Sequence, residues 1–256
     1  MRLTILGSSA SYAGARRACA GHYLEAGGAR VLFDCGNGVV SNLAVIGDPT
    51  SLDAVFVTHS HPDHFADLYC LQAALQYSPQ GPVSPIPLFA PPGLTDQLKC
   101  LLSERGARAF DDAFVEVDLV AGEPVFLGGL TVTPVLVEHT EPTFGLVAEA
   151  EGLRLGYTAD TGLSDGVRRV ARGADLLLAE ATLPKEYAGT APHLTAAQAG
   201  ELAREAEAGA LVLVHVWPTN DRRASAQEAT ATFGAPVVVA NEFDVFEITR
   251  NPEEGQ

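Results

Sequence analysis

The sequence predicts a mixed fold, α+β or mixed α/β, in which two packed sheets carry helices on their outer faces, four layers in all. Two observations predict it. The first half is rich in short apolar runs bounded by glycine and other turn residues, and the second half alternates such runs with segments at helical spacing. The composition allows a sizeable core, since 47% of the 256 residues are hydrophobic and 19% charged. With no repeat, low-complexity tract or long linker, residues 1–250 read as one domain and residues 251–256 as a polar tail.

Taken in order, residues 3–6 read as a strand, and residues 21–25 and 30–33 as a hairpin turned at Gly27-Gly28. The unbroken apolar run within 53–57 marks a strand buried on both faces. Beyond it Phe65, Leu68, Leu71, Gln72 and Leu75 fall at helical spacing, so His64 is expected to open a helix. Six prolines between Ser78 and Pro92 suggest a rigid surface loop around a short strand at 88–90. Residues 93–105 read as a second helix, stopped by Gly106. Strands dominate from 113 to 157, with turns at Gly128-Gly129 and Gly152.

In the second half, residues 175–179 and 210–214 read as buried strands. Thr195 and Gln198 form a capping-box pair opening a helix whose apolar side is Ala199, Leu202, Ala203 and Ala206. Residues 224–233 form another helix, and 236–240 and 245–248 close the chain as strands.

The formal charge of −16 argues against stable nucleic-acid binding, because an acidic surface repels phosphate backbones. The pairs Arg16-Arg17, Arg168-Arg169 and Arg222-Arg223 are local exceptions that read best as solvated surface. No stretch approaches the ~20 apolar residues of a membrane span. The N-terminal apolar segment is too short for a secretion signal, so a cytoplasmic location is expected. Cys19, Cys35, Cys70 and Cys100 form no Cys-x-x-Cys pair and are expected to be buried free thiols.

Chemistry concentrates in Thr58-His59-Ser60-His61-Pro62-Asp63-His64, directly after Ala54-Val55-Phe56-Val57. Three imidazoles and a carboxylate so close repel one another on protonation, whereas a divalent metal binds neutral imidazole and carboxylate together. Three later residues repeat the pattern: His139 follows the run 131–137, Asp160 follows 154–157 and His215 follows 211–214. Four apolar strands thus end in a metal-competent residue, and a sheet holds such residues rigidly. Any one alone reads better as a hydrogen-bonded core group. The repetition points to a metal centre.

These residues carry a resemblance over nearly the whole chain. It runs from Leu6-Gly7-Ser8-Ser9-Ala10 and Leu32-Phe33-Asp34-Cys35-Gly36-Asn37-Gly38 through the His-x-His-x-Asp-His segment and His139. It continues through Thr158-Ala159-Asp160-Thr161, Glu180-Ala181-Thr182 and His193-Leu194-Thr195 to His215. The chain resembles the metallo-β-lactamase superfamily, and within it the ribonuclease Z-like phosphodiesterase branch. The resemblance implies a four-layer αββα sandwich and two divalent cations. One would be held by His59, His61 and His139, the other by Asp63, His64 and His215, with Asp160 bridging both. Zinc suits the imidazole-rich set best; manganese and iron stay open.

The reaction implied is hydrolysis by a metal-bridging hydroxide, with Asp63, Glu180 and His193 as the catalytic residues. His193, oriented by Glu180, would give a proton to the leaving group; the plainer alternative is that it caps its loop. Asp34 matches a position that orients a ligand imidazole, or is an ordinary turn residue. Tyr12, Phe144, Trp217 and His22 are candidate pocket neighbours, His22 alternatively structural.

Ribonuclease Z carries a long arm gripping transfer RNA between the positions matching His139 and Asp160, which here are only 21 residues apart. The stretches around His139 and His215 look instead like small bacterial relatives that hydrolyse cyclic nucleotides. The substrate expected is therefore a small phosphodiester such as a 3′,5′-cyclic nucleotide. A transfer RNA 3′-endonuclease, a lactonase or thioesterase, and a non-hydrolytic metal-binding accessory protein remain alternatives. A homodimer is expected by resemblance.

Overall fold

Chain order maps almost directly onto strand order. A computed structural model describes residues 1–79, 82–140 and 142–249. The first sheet holds β1 (Arg2–Gly7), β2 (Gly21–Ala26), β3 (Ala29–Phe33), β4 (Ala54–Phe56), β5 (Ile86–Ala90) and β6 (Phe114–Asp118), side by side in that order. The chain then builds the second sheet from β7 (Val125–Leu127), β8 (Leu130–Val137), β9 (Thr143–Ala150), β10 (Leu153–Tyr157), β11 (Leu176–Glu180), β12 (Leu211–Val214) and β13 (Val238–Val239). The last strand, β14 (Val245–Glu247), returns to pair antiparallel with β1.

Three apolar layers explain the unbroken apolar strands. Ala54 and Phe56 of β4 and Val212 and Val214 of β12 join one core shared by the two sheets. Their alternate neighbours face outward: Val55 and Val57 pack with Leu68, Leu71, Leu94 and Phe110, and Leu211 and Leu213 with Val167, Val170 and Leu202. A strand covered on both faces needs no polar alternation. The outer layers are α1 (Val39–Ile46), α2 (Pro62–Phe65), α3 (Leu68–Tyr77), α4 (Leu94–Lys99) and α5 (Glu104–Asp111) on the first sheet. On the second lie α6 (Asp165–Ala171), α7 (Ala196–Glu205) and α8 (Arg222–Phe233). The four-layer sandwich is the predicted architecture.

Several elements differ from expectation. His64 does not open a helix; it lies inside the short α2, which starts at Pro62, and α3 begins anew after Asp67. The break fits the ties on Asp67, whose N–H donates to the Cys35 carbonyl at 2.9 Å and whose Oδ2 accepts from Val40 N–H at 2.9 Å. Gly106 does not stop a helix. It sits in the first turn of α5, its N–H donating to the capping Ser103 Oγ at 3.2 Å, so the expected single helix is two. Helices α1 and α6 escaped sequence reading; α1 follows a left-handed Gly38 with no side-chain cap, and α6 has only seven residues. The Thr195–Gln198 capping box is present.

Only Cys19 and Cys35 are buried. Cys70 and Cys100 are exposed, Cys70 on a face of α3 turned away from the buried Leu68, Leu71 and Leu75. Arg16, Arg168, Arg169 and Arg223 are exposed as expected, whereas Arg17 and Arg222 are partly buried. Arg17 pairs with Glu242 at 3.3 Å, and half-buried Arg222 hydrogen-bonds the Ala240 carbonyl. Among the described residues no helix is long and apolar enough to cross a membrane. The polar tail at 251–256 lies outside the described residues.

Candidate metal centre

The seven metal-competent residues converge beyond the ends of four strands. His59 follows β4, His139 follows β8, Asp160 follows β10 and His215 follows β12, while His61 caps α2 and Asp63 and His64 lie within it. Backbone at the turns is unusual: φ is 53° at Ala159 and 49° at His215, left-handed values that residues with a Cβ rarely adopt. Donor atoms fall into sets within 4.8 Å of one another: His59, His61, His139 and Asp160 in one, Asp63, His64 and His215 in another.

Asp160 lies between them. Its Oδ2 faces His59 Nε2 at 3.7 Å and His139 Nε2 at 4.0 Å, and its Oδ1 faces His64 Nε2 at 3.5 Å and His215 Nδ1 at 3.2 Å.

Hydrogen bonds around the cluster decide which nitrogens are free. The Thr58 hydroxyl donates to Asp34 Oδ2 at 3.0 Å, so it accepts from His59 Nδ1 at 3.1 Å. Thr182 Oγ1 donates to the His215 carbonyl at 3.0 Å and accepts from His215 Nδ1 at 2.8 Å. His64 Nδ1 donates to Asp34 Oδ2 at 2.9 Å, and His139 Nδ1 to the Pro192 carbonyl at 3.1 Å. His59, His64, His139 and His215 thus carry the proton on Nδ1 and present an unprotonated Nε2 to the other residues of the cluster, those of His64 and His215 lying 3.2 Å apart. His61 is turned the other way, with Nδ1 3.3 Å from His139 Nε2 and Nε2 3.4 Å from Thr140 Oγ1.

Two of the inward atoms, His59 Nε2 and Asp160 Oδ1, are buried without a hydrogen-bond partner. Burial and the neighbouring His64 hold His59 well below the usual imidazole range, in the neutral form that ligates. Burial alone would raise Asp160, but His215 and His64 hold its carboxyl well below the carboxylate range. An orphaned imidazole nitrogen beside an ionised carboxylate with an orphaned oxygen fits a divalent cation.

Residues 29–216 match the family described as Beta-lactamase superfamily domain. The chain belongs to the beta-lactamase superfamily. The uncharacterized protein Rv1339 of Mycobacterium tuberculosis is 34% identical, with 98% of this chain and 93% of that one covered. A crystal structure of the metallo-beta-lactamase fold protein YhfI from Bacillus subtilis matches with TM-score 0.86 at 27% identity, over 96% of this chain and 98% of that one. A ribonuclease Z of Natronomonas pharaonis is 27% identical over 97% of this chain and 98% of its own.

In this beta-lactamase superfamily member, His193 and Glu180 stand beside the cluster. His193 Nδ1 lies 2.8 Å from Glu180 Oε1, and its ring centroid is 4.8 Å from that of His139. Glu180 is fully buried and held by the amides of Thr161 at 2.7 Å and Thr182 at 3.1 Å. Burial disfavours charge on His193, but the Glu180 carboxylate prevails and pushes it up to about 9. His193 also forms a compact donor set with Asp160 and His215, so position alone admits it as a ligand.

Two expected pocket neighbours are core residues. Phe144 packs between the sheets, and His22 is 1% exposed with its ring edge-on to Tyr157 at 4.8 Å. Burial pushes His22 down to about 3, so it is neutral. Tyr12 is half-exposed, and Trp217 Nε1 donates to its neighbour Ser11. Sequence reasoning missed Thr58, Thr182, Tyr157, Pro192 and the Ser11 amide as supports. Thr58 and Thr182 sit inside motifs, but their orienting role depends on partners that motifs do not name.

Proposed function

We propose that the protein is a hydrolase using two divalent cations, zinc being the best match, to cleave a small phosphodiester such as a 3′,5′-cyclic nucleotide. The observation that carries this reading is Asp160 between two imidazole groups, with His193–Glu180 at their side. His59, His61 and His139 would hold one cation, Asp63, His64 and His215 the other, and Asp160 both. Bound cations would neutralise phosphoryl oxygens and acidify a water.

The protein's own groups do the rest. Asp34, Thr58, Thr182 and Pro192 fix the imidazole tautomers. Protonated His193 keeps Nδ1–H on Glu180 and offers Nε2–H to a leaving oxygen, a transfer worth roughly 10²–10⁴-fold. Asp63 remains ionised, because His215 and His64 outweigh its burial.

Between His139 and Asp160 the described residues form only the antiparallel pair β9–β10, and with the charge of −16 this favours a small anion over a transfer RNA. The ribonuclease Z likeness keeps the endonuclease as the second reading. A cytoplasmic homodimer is part of the proposal, by likeness to the branch, and light scattering tests the dimer. A panel of cyclic AMP, cyclic GMP, a 2′,3′-cyclic nucleotide, a lactone and a precursor transfer RNA, run with metal analysis, tests the rest. Turnover of a cyclic nucleotide supports it; turnover of the lactone or the transcript alone overturns it.

A further inference from the structure

The segment joining β1 to β2 ties together two residues of one metal-competent set. Ser11 has φ 62°, a left-handed backbone unusual for a residue with a Cβ. In that pose its N–H donates to Asp63 Oδ2 at 2.6 Å. The same oxygen faces His215 Nε2 at 3.2 Å and His64 Nε2 at 3.8 Å.

Ser11 is held from the His215 side. Trp217 Nε1 donates to Ser11 Oγ at 3.3 Å, Ala10 N–H to the Val216 carbonyl at 3.3 Å, and Val216 N–H to the Ser8 carbonyl at 3.0 Å. Glu242 Oε1 anchors both ends of the segment, accepting from Ser8 N–H at 3.3 Å and Ala18 N–H at 3.2 Å. Asp63 and His215, 152 residues apart, are thus joined through one strap. The other group is oriented by different atoms: Thr58 on His59, Pro192 on His139 and Thr140 on His61.

A carboxylate can rotate to present either oxygen, and a charge-assisted N–H bond removes that freedom before a cation arrives. We propose that this strap tunes one cation selectively: Ser11 and Trp217 are positioning residues for the Asp63–His64–His215 site and leave the His59–His61–His139 site essentially untouched. The inference rests on the two-cation reading above.

Zinc titration of the chelator-stripped full-length protein tests it, with Trp217→Phe removing the indole N–H and Ser11→Ala removing its acceptor. Either variant should weaken one of two zinc ions by roughly 10- to 100-fold and leave the other within about twofold. If one variant fails to fold, as read by thermal unfolding in chelator, the other carries the test. Two zinc affinities equal to wild type, or both weakened alike, would overturn the proposal while leaving the two-cation reading standing. Wild-type protein that takes up fewer than two zinc ions would overturn that reading and this proposal with it.

Discussion

Asp34 and His64 form a buried pair 30 residues apart in sequence, with His64 Nδ1 2.9 Å from Asp34 Oδ2. The same carboxylate accepts from Thr58 N–H at 2.8 Å and from the Tyr157 hydroxyl at 2.7 Å. Through Thr58 it also reaches His59, so one side chain orients an imidazole in each metal-competent set. Asp34→Asn keeps the shape but removes the charge. Zinc affinity should fall roughly 10- to 100-fold in a competition titration. Wild-type affinity in this variant would show that Asp34 is only a turn residue.

Asp160→Ala should lose bound metal and activity together, because the Asp160 carboxylate faces both imidazole groups. Elemental analysis of the purified variant checks this, and a full metal complement would contradict the bridging assignment. Chelation of the wild-type protein should act in the same direction. A ligand present at 100 times its Kd adds about 2.7 kcal/mol, so stripping it should lower Tm by several degrees.

His193→Ala should keep its metal and lose about 10²–10⁴-fold in turnover. The pairing of His193 with Glu180 predicts a smaller loss of the same kind in Glu180→Gln. Metal analysis beside kcat separates the roles. Loss of metal in His193→Ala would instead make it a ligand with Asp160 and His215.

Gly36→Ala is a packing test of the motif loop. A Cβ there would stand 2.0 Å from the Asp63 carbonyl oxygen and 2.8 Å from Cys19 Cβ. The backbone bearing Asp63 must shift, and overpacking of this kind destabilises by about 1–3 kcal/mol. Chemical denaturation of the chelated protein should register that loss without a contribution from metal.

Periodic burial is what made the fold legible. The runs in β4, β11 and β12 announce strands covered on both faces, and the Thr195–Gln198 pair announces its helix, because each signal is local. The breaks after Phe65 and Lys99 were not legible; the helical spacing of Phe65, Leu68, Leu71 and Leu75 continues across a gap whose cause is Asp67 bonding to distant backbone.

The site divides in the same way. By itself the sequence determined the donor types, their places after strands and the His-x-His-x-Asp-His cluster, since these follow from residue identity and hydrophobic pattern. Only the tertiary structure decided which atoms meet. The ties Asp34–His64, Thr182–His215, Glu180–His193 and Ser11–Asp63 span 30, 33, 13 and 52 residues. A hydrogen bond needs a donor and an acceptor about 3 Å apart and aligned, and chain pattern carries no such long-range geometry. Two packed sheets supply it by bringing the ends of β4, β8, β10 and β12 to one place.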